Sequence, residues 1–406
     1  MQNGQLKRIL FVDDEPALLD GLRGRLRGMR TSWEMVFVES GTRAIAEMEH
    51  RPVDVIVSDM RMPAMDGAQL LAQVSDRWPE TVRIILSGYS EEEQARRLLP
   101  IAHQFLSKPC EPAQIEGVVN RCLRLHQLLR EPTLRAVVGR VKSLPTLPST
   151  YTRLRDAMAQ EDTSVQTIAK IVGEDPAIAA KVLQVVNSAF FRLARRITKI
   201  DQAVNYLGLL AIRNLVMSVE VFSRWDQERA SGLLSPEMLQ TRAHRVAAVA
   251  RELAKPHGIG DDALLAGLFH NIGYWVLMQG CAKELESALQ LAREKKISLH
   301  EAERQILGAS HAEVGAYLLG LWGLPHDVVE AVAFQYSPQL IEQKAFDVLG
   351  ALVTAESVAF ADAEVVPGVI ERAEVPVDEG YLQSLGAKLS LDQAKALAAS
   401  ATGELS

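Results

Sequence analysis

Five runs of consecutive apolar residues within the first 110 positions constrain the fold of this chain more than any other feature. The runs occur in RILFVDD, WEMVFVES, VDVIVSDM, VRIILSG and HQFLSKP, and amphipathic stretches with helical spacing lie between them. Strands that are apolar throughout are typical of a parallel sheet buried on both faces. The pattern therefore predicts a doubly wound α/β domain with a five-stranded parallel sheet.

Polar residues stand where these predicted strands end. Asp13 and Asp14 follow the first strand, Asp59 the third, Ser87 the fourth and Lys108 the fifth. Carboxyl ends of parallel strands line one crevice, so we expect these side chains to converge. Three carboxylates that close repel each other unless a cation joins them, and Mg²⁺ suits such hard oxygen ligands. Helix capping and surface pairing could explain any one of these residues, but five at matching strand ends favour a shared site.

This arrangement suits phosphoryl transfer to a carboxylate. Asp59 would be the nucleophile, and Mg²⁺ together with Lys108 would neutralise charge on the transferred group. The hydroxyl of Ser87 would donate a hydrogen bond to a phosphoryl oxygen.

The motifs VDDE, SDMRMPAMDG, LSG and FLSKP resemble the response regulator receiver domain, over residues 7 to about 128. The resemblance implies a flavodoxin-like fold in which Asp59 accepts a phosphoryl group from a sensor histidine kinase. It also implies a switch pair, Ser87 and Phe105, and a cis peptide before Pro109. The Mg²⁺ ligands that it implies are Asp13, Asp14, Asp59 and the backbone carbonyl of Arg61.

A helical linker is predicted at residues 129–142, between a receiver domain at 1–128 and a second domain at 143–406. One long helix should run to about Arg130, and Pro132 fits the first turn of another. The leucines in this region could form a dimer seam or a signalling rod, and the dimer seam would make a homodimer. Fewer than three heptads are present, which favours plain packing onto the sheet.

The second domain is predicted to be all-α, because amphipathic helices follow one another with short breaks from residue 143 onward. The motifs SLPTLP, DPAIAAKVLQVVNSAFF, AVNYLGLLAIRNLV, GLFHNIG and HAEVGAYLLGLWGLP resemble the HDOD domain, a non-hydrolytic relative of the HD phosphohydrolases, over about residues 140–360. The resemblance implies an output module that binds partner proteins or ligands.

Candidate metal ligands in this domain are a set of histidines and acids at helical positions. Carried over from the HD enzymes, the positions form a degenerate site that we expect to be structural: His244, His270, Asn271, His311 and Glu356. Asn271 stands where those enzymes have a metal-bridging aspartate. A neutral amide there should weaken metal binding, because a two-metal site needs a bridging anion. No cofactor is predicted for this domain.

The composition limits the remaining function classes. The net charge of −7 argues against a broadly basic nucleic-acid binder. Three unpaired cysteines and an N-terminus without a signal-peptide pattern suit the cytoplasm. No stretch is apolar enough to span a membrane.

Two functions therefore stand against each other. The first is a response regulator of a two-component phosphorelay, in which phosphorylation of Asp59 switches a non-catalytic HDOD domain that binds a downstream protein or ligand. The second is a phosphorylation-gated, metal-dependent phosphohydrolase of a nucleotide or cyclic dinucleotide. Asn271 and Gln335, at two positions of the HD-type site, favour the first.

Overall fold

A computed structural model of the chain describes residues 6–87, 101–141, 148–160, 163–187, 196–217, 234–360, 364–366, 368–370 and 373–403. The chain divides into two compact units. The first is built mainly on Met1–Lys142, and the second takes most of the chain from Ser143 onward.

A parallel sheet of five strands forms the centre of the first unit. Its strands are β1 Lys7–Val12, β2 Trp33–Val38, β3 Val55–Asp59, β4 Val82–Ser87 and β5 Gln104–Ser107. Their order across the sheet is β2-β1-β3-β4-β5, which is the flavodoxin-like order and confirms the predicted fold. The strand order reverses direction between β1 and β3, and ligands of such sheets bind at this switch point.

The helices of the first unit follow from local capping and amphipathic spacing. Asp66 and Gln69 form a capping box at the start of the third helix, and Ser40 caps the second. A 3-10 turn at Arg27–Thr31 precedes β2. The helical stretch that the sequence predicts between β4 and β5 falls in residues 88–100, which lie outside the described residues. The described helices are α1 Pro16–Arg25, α2 Gly41–His50, α3 Gly67–Arg77 and α4 Pro112–Leu128.

A further helix, α5 Pro132–Gly139, begins at the predicted proline and packs against the first unit. The buried guanidinium of Arg83 donates a hydrogen bond from Nη2 to the carbonyl of Gly139 at 2.7 Å. A Cβ atom at position 139 would lie 1.8 Å from the carbonyl oxygen of Pro79, so only glycine permits this approach. The helix is thus anchored at its last residue by backbone contacts.

The second unit consists mostly of helices. They are α6 Pro148–Ala159, α7 Val165–Gly173, α8 Pro176–Val186, α9 Ile200–Met217, α10 Pro236–Ala254, α11 Gly260–Phe269, α12 Ile272–Gly280, α13 Ala282–Lys295, α14 Leu299–Leu307, α15 His311–Leu321, α16 His326–Phe334, α17 Val348–Ala359, α18 Glu379–Ser384 and α19 Leu391–Gly403. A two-stranded antiparallel hairpin, β6 Glu364–Val366 and β7 Val369–Ile370, interrupts them. The domain is therefore mostly helical rather than all-α, because strands of two and three residues leave no periodic signal in the sequence.

The core of the second unit lies around α10. This helix packs against α11, α17 and the terminal helix α19, and its buried face carries Leu239, Ala243, Val246 and Leu253. The apolar sequence of residues 261–278 predicts a single helix, but the structure has two, α11 and α12, with a break at His270 and Asn271. Within the described part of the chain, no helix is both long and apolar enough to cross a bilayer.

Candidate functional site: a carboxylate pair in the first unit and a buried polar cluster in the second

The switch point of the sheet brings two of the predicted carboxylates together. In the register of β1 and β3, Val12 lies beside Ser58, so that Asp13 and Asp59 come next at the ends of the two strands. Both side chains are largely buried. Lys108, just beyond β5, reaches across to them, and its Nζ lies 2.8 Å from Asp13 Oδ2 and 2.5 Å from Asp59 Oδ1.

The remaining carboxylate oxygens accept backbone hydrogen bonds. The N–H of Glu15 donates to Asp13 Oδ1 at 3.0 Å, and the N–H of Arg61 donates to Asp59 Oδ2 at 3.1 Å. Burial raises the pKa of Asp59, and the hydrogen bond from Lys108 partly offsets this effect. Burial opposes the charge of Lys108, but its bonds to Asp13 and Asp59 raise its pKa overall. The Lys108 ammonium is therefore charged and offsets the negative charge of the Asp13 and Asp59 carboxylates.

The donor set of this site fits Mg²⁺ in its chemistry. Asp13 and Asp59 already share one cation, the Lys108 ammonium, and oxygen ligands of this kind suit a hard divalent ion. Asp14 is half-buried beside them in sequence. Among the described residues, no three His, Cys, Asp or Glu side chains are already grouped as metal ligands.

The predicted switch pair is described only in part. The ring of Phe105 is buried, with 6% of the residue exposed, and Ser87 ends β4 beside Ser107 of β5. The side chain of Ser87 lies outside the described part of the chain. The peptide bond between Lys108 and Pro109 is cis, as predicted.

A second cluster of polar side chains is buried in the helical unit. His270, at the end of α11, directs Nδ1 at the carbonyl of Gly267 at 2.7 Å and Nε2 toward Glu356 Oε2 at 3.5 Å. The other carboxylate oxygen of Glu356 accepts a hydrogen bond from Arg242. All three residues are more than 90% buried, so the ion pair of Arg242 and Glu356 is an internal one.

The electrostatics of this cluster follow from burial and from that ion pair. Burial works against the charge of Glu356, but Arg242 and then His270 lower its pKa overall. Burial likewise opposes the charge of Arg242, and Glu356 raises its pKa. Burial lowers the pKa of His270. The arrangement is a charged arginine and a charged glutamate beside a neutral imidazole.

A third group, around His311, lies next to this ion pair. Glu303 Oε2 faces His311 Nδ1 at 2.7 Å and accepts the backbone N–H of His311 at 2.8 Å. On its other side His311 Nε2 lies 3.0 Å from the hydroxyl of Tyr336. The ring of Tyr274 stacks on His311 with centroids 3.8 Å apart. A chain of hydrogen bonds therefore runs from Glu303 through His311 to Tyr336.

The helices approach closely enough for this stacking because Gly273 has no side chain. A Cβ atom at position 273 would lie 1.8 Å from the carbonyl oxygen of His311. The first turn of α12 therefore rests directly on the first residue of α15.

Of the five predicted residues, the structure places His244 apart from the others. Burial lowers the pKa of His244, and its charged neighbour is Glu174 rather than Glu356 or His270. Arg242, which was not among the predicted residues, lies beside Glu356. The stripe of buried positions on α10 runs through residues 239, 242, 246, 249 and 253, so helical periodicity would have pointed to Arg242.

The amides of Asn271 and Gln335 are buried with fixed orientations. Asn271 Nδ2 donates to the carbonyl of Leu239 at 2.8 Å, and Gln335 Nε2 donates to the carbonyl of His270 at 2.8 Å. A flipped amide would place an oxygen against each carbonyl, so these bonds set which atom points where. Both side chains thus hold the backbone at the break between α11 and α12.

The buried carboxyl of Glu303, beside His311, predicts that the stability of the protein depends on pH. Burial raises the pKa of Glu303 to about 8, above the value of about 4.3 in an unfolded chain. Between these values the folded chain retains a proton that the unfolded chain has lost, so the free energy of unfolding falls as pH rises. In Glu303→Gln this fall should be smaller by about 2 kcal/mol between pH 6 and 8.

Urea unfolding at pH 6, 7 and 8, followed by circular dichroism, measures this difference. Glu294→Gln, at an exposed position of α13, should keep the slope of the wild type. Equal slopes for wild type and Glu303→Gln would show that Glu303 does not hold the proton.

Two family models match the chain. The response regulator receiver domain matches residues 9–120, and the HDOD domain matches residues 144–338. Among curated proteins, an uncharacterised protein of Treponema pallidum is 28% identical over 262 residues, which cover 63% of this chain and 48% of that protein. The hydrogenase transcriptional regulatory protein HoxA of Bradyrhizobium diazoefficiens is 34% identical over 143 residues, or 34% of this chain and 29% of that protein. The chain spans less than half the length of these relatives.

Two solved structures match the chain at low identity. The MmoQ response regulator of Methylococcus capsulatus is 19% identical with a TM-score of 0.49, covering 63% of this chain and 98% of that one. An HDOD domain protein of unknown function from Geobacter sulfurreducens is 23% identical with a TM-score of 0.37, covering 67% of this chain and 93% of that one.

Proposed function

We propose that this chain, a response regulator with a receiver domain followed by an HDOD domain, is phosphorylated on Asp59 by a sensor histidine kinase and thereby switches a non-catalytic output domain. The observation that carries the proposal is the buried pair of Asp13 and Asp59, bridged by Lys108 at the switch point of the sheet. The HDOD domain would then bind or release a downstream protein or ligand.

Each residue of the receiver site has a role in this scheme. Asp13, Asp14, Asp59 and the carbonyl of Arg61 would hold Mg²⁺, which would neutralise charge on the transferred group when bound. Asp59 would attack the phosphorus through a carboxylate oxygen while the phosphorus–nitrogen bond to the histidine of the kinase breaks and the imidazole leaves. Lys108, which already contacts Asp59, would then pair with the phosphoryl oxygens. The hydroxyl of Ser87 would donate to one of these oxygens, and Phe105 would fill the space behind it.

The ion pair of Arg242 and Glu356 supports a non-catalytic HDOD domain. A metal-dependent hydrolase needs its carboxylates free to bind the metal, and a two-metal site needs a bridging anion. Here the buried carboxylate of Glu356 is already neutralised by an arginine, and position 271 carries an amide bonded to a backbone carbonyl. The same side chains therefore act as a structural core.

Hydrogen exchange of the full chain tests the switch. Addition of Mg²⁺ and acetyl phosphate should change amide exchange within residues 234–360 of the wild type, and should leave Asp59→Asn unchanged. If the helical unit exchanges equally in both states of the wild type, phosphorylation does not reach it and the proposal fails.

Metal analysis distinguishes the hydrolase alternative. We expect less than one metal ion per chain to remain after dialysis, and no hydrolysis of a cyclic dinucleotide with added Mn²⁺. Hydrolysis that disappears in His270→Ala would establish the enzyme instead.

Light scattering of the phosphorylated and unphosphorylated chain would show whether the switch also controls a homodimer.

A further inference from the structure

A short segment beyond the HDOD match is bound to the helical unit through one acidic side chain. Residues 373–378, which we call the strap, lie between the β6–β7 hairpin and α18 and contain no helix or strand. The strap has the sequence AEVPVD. Within it, Glu374 makes the contacts that hold it in place.

The carboxylate of Glu374 is bound by three donors from two elements. Ser337 Oγ donates to Oε1 at 2.6 Å, Arg304 Nη1 to the same oxygen at 3.0 Å, and Gln339 Nε2 to Oε2 at 2.7 Å. The backbone N–H of Glu374 also donates to the carbonyl of Tyr336 at 2.6 Å. The three donors form a carboxylate site, and the carbonyl of Tyr336 beside it accepts the N–H of the same residue.

The carboxylate site is held in shape by contacts that do not involve the strap. Arg304 Nε lies 3.5 Å from Glu313 Oε2, and Glu313 in turn accepts hydrogen bonds from Ser310. Ser337 and Gln339 lie at the 3-10 turn Pro338–Leu340. Arg304 would therefore remain oriented if Glu374 left, and Ser337 and Gln339 would keep their places on the 3-10 turn.

The strap itself has weaker ties. Of the side chain of Glu374, 32% remains exposed, and alternate residues of the strap face solvent. The strap carries two acidic residues and no basic one, so it is complementary in charge to Arg304. Partial burial opposes the charge of Glu374, but bonds from Ser337, Gln339 and Arg304 lower its pKa.

The carboxylate site is connected to the buried cluster through Tyr336. Its carbonyl receives the strap, its hydroxyl lies 3.0 Å from His311 Nε2, and its ring stacks on His300 with centroids 4.5 Å apart. Removal of the strap thus changes the hydrogen bonding of a residue that also contacts the core of the domain.

We propose that Arg304, Ser337 and Gln339 form a binding site for an acidic side chain of a partner peptide, and that Glu374 occupies this site in the free protein. The strap is then an internal competitor that resembles the partner in chemistry: a glutamate or aspartate whose own N–H donates to the carbonyl of Tyr336. This inference names a partner class for the output domain and rests on its proposed role as a binding module.

Fluorescence anisotropy with a labelled peptide, acetyl-AEVPVD, tests the site in the full chain. Glu374→Ala should bind this peptide at least about ten times more tightly than the wild type, because the internal competitor is gone. The peptide with glutamine in place of its first glutamate should bind at least about ten times more weakly, because it lacks the charge that Arg304 recognises. Adding Arg304→Ala to Glu374→Ala should remove the gain.

The controls separate this site from general effects. Glu342→Ala, an exposed acid just beyond the 3-10 turn, should bind the peptide like the wild type. Glu374→Gln, which keeps the shape of the side chain, should also gain affinity if charge holds the strap. Equal binding by wild type and both Glu374 variants, or a gain that survives Arg304→Ala, overturns the inference. The measurement needs no phosphorylation, so failure of the receiver switch leaves it interpretable.

Discussion

Asp59→Asn is expected to abolish the acceptance of a phosphoryl group from acetyl phosphate. An amide has no anionic oxygen to attack phosphorus, and the substitution also removes one of the two carboxylates that share the Lys108 ammonium. Intact-mass measurement after incubation with Mg²⁺ and acetyl phosphate should show a phosphorylated fraction in the wild type and none in the variant.

Asp54→Asn supplies the matched control, because Asp54 stands just before the opposite end of the same strand. It accepts hydrogen bonds from Lys7 and from the backbone of Arg8, and it has no contact with Lys108 among those described. The control should lose some stability and keep phosphorylation. A phosphorylated fraction in Asp59→Asn would show that another residue is the acceptor.

Arg242→Met is expected to lower the free energy of unfolding by about 3–5 kcal/mol, because it leaves the buried carboxylate of Glu356 without its cation. Adding Glu356→Leu should recover most of this loss, since a buried ion pair can be replaced by apolar residues at little cost. Urea unfolding of the full chain, followed by circular dichroism, measures both variants.

Arg245→Met tests whether the loss arises from the ion pair. Arg245 lies over the same Phe360 ring as Arg242, at 4.9 Å against 4.0 Å, but it does not pair with Glu356. Its loss should be about 1 kcal/mol. Equal losses for Arg242→Met and Arg245→Met would assign the stability to the aromatic contact instead.

The stability of Arg242→Met should also respond to pH differently from that of the wild type. In the wild type, Arg242 holds the pKa of Glu356 below its ordinary value, so this stabilisation is present above the pKa of the unfolded chain and is lost as pH falls through the folded value. In Arg242→Met, burial raises the pKa of Glu356, and protonation relieves the buried charge. The difference in the free energy of unfolding between the wild type and Arg242→Met should therefore become smaller as pH falls from 8 to 5.

The receiver fold could be predicted from sequence because its signals are local. Each strand is a continuous apolar run, and each polar residue stands at a strand end or within two positions of it, so topology alone brings Asp13, Asp59 and Lys108 together. The resemblance implied a flavodoxin-like fold, and the observed strand order confirms it. Side-chain geometry did not follow: the sharing of one ammonium by two carboxylates depends on the length of the Lys108 side chain and on the register of three strands.

The polar cluster of the helical unit was predicted less well, because its contacts join distant parts of the chain. Arg242 and Glu356 are 114 residues apart, and no local pattern pairs them. His244 was predicted because it is a histidine that matches a metal ligand of the HD enzymes, although it lies off the buried stripe of α10. His270, His311 and Glu356 lie near one another in the structure, and Arg242, which pairs with Glu356, was not predicted.

The break between α11 and α12 was also missed, because GLFHNIGYW is apolar enough to continue as one helix. The amides of Asn271 and Gln335 stabilise this break through hydrogen bonds to carbonyls at 239 and 270. These bonds come from helices that are remote in sequence, so local propensity favoured the wrong outcome.

The absence of a side chain at position 273 sets a limit on how this cluster could be altered. Since the carbonyl of His311 occupies the place of a methyl group, even alanine would have to move one helix relative to the other. Such a movement would separate the imidazole of His311 from the ring of Tyr274, which are now 3.8 Å apart. The aromatic stack is therefore a readout of interhelical spacing, and the near-ultraviolet circular dichroism of Tyr274 should report any force that spreads these two helices.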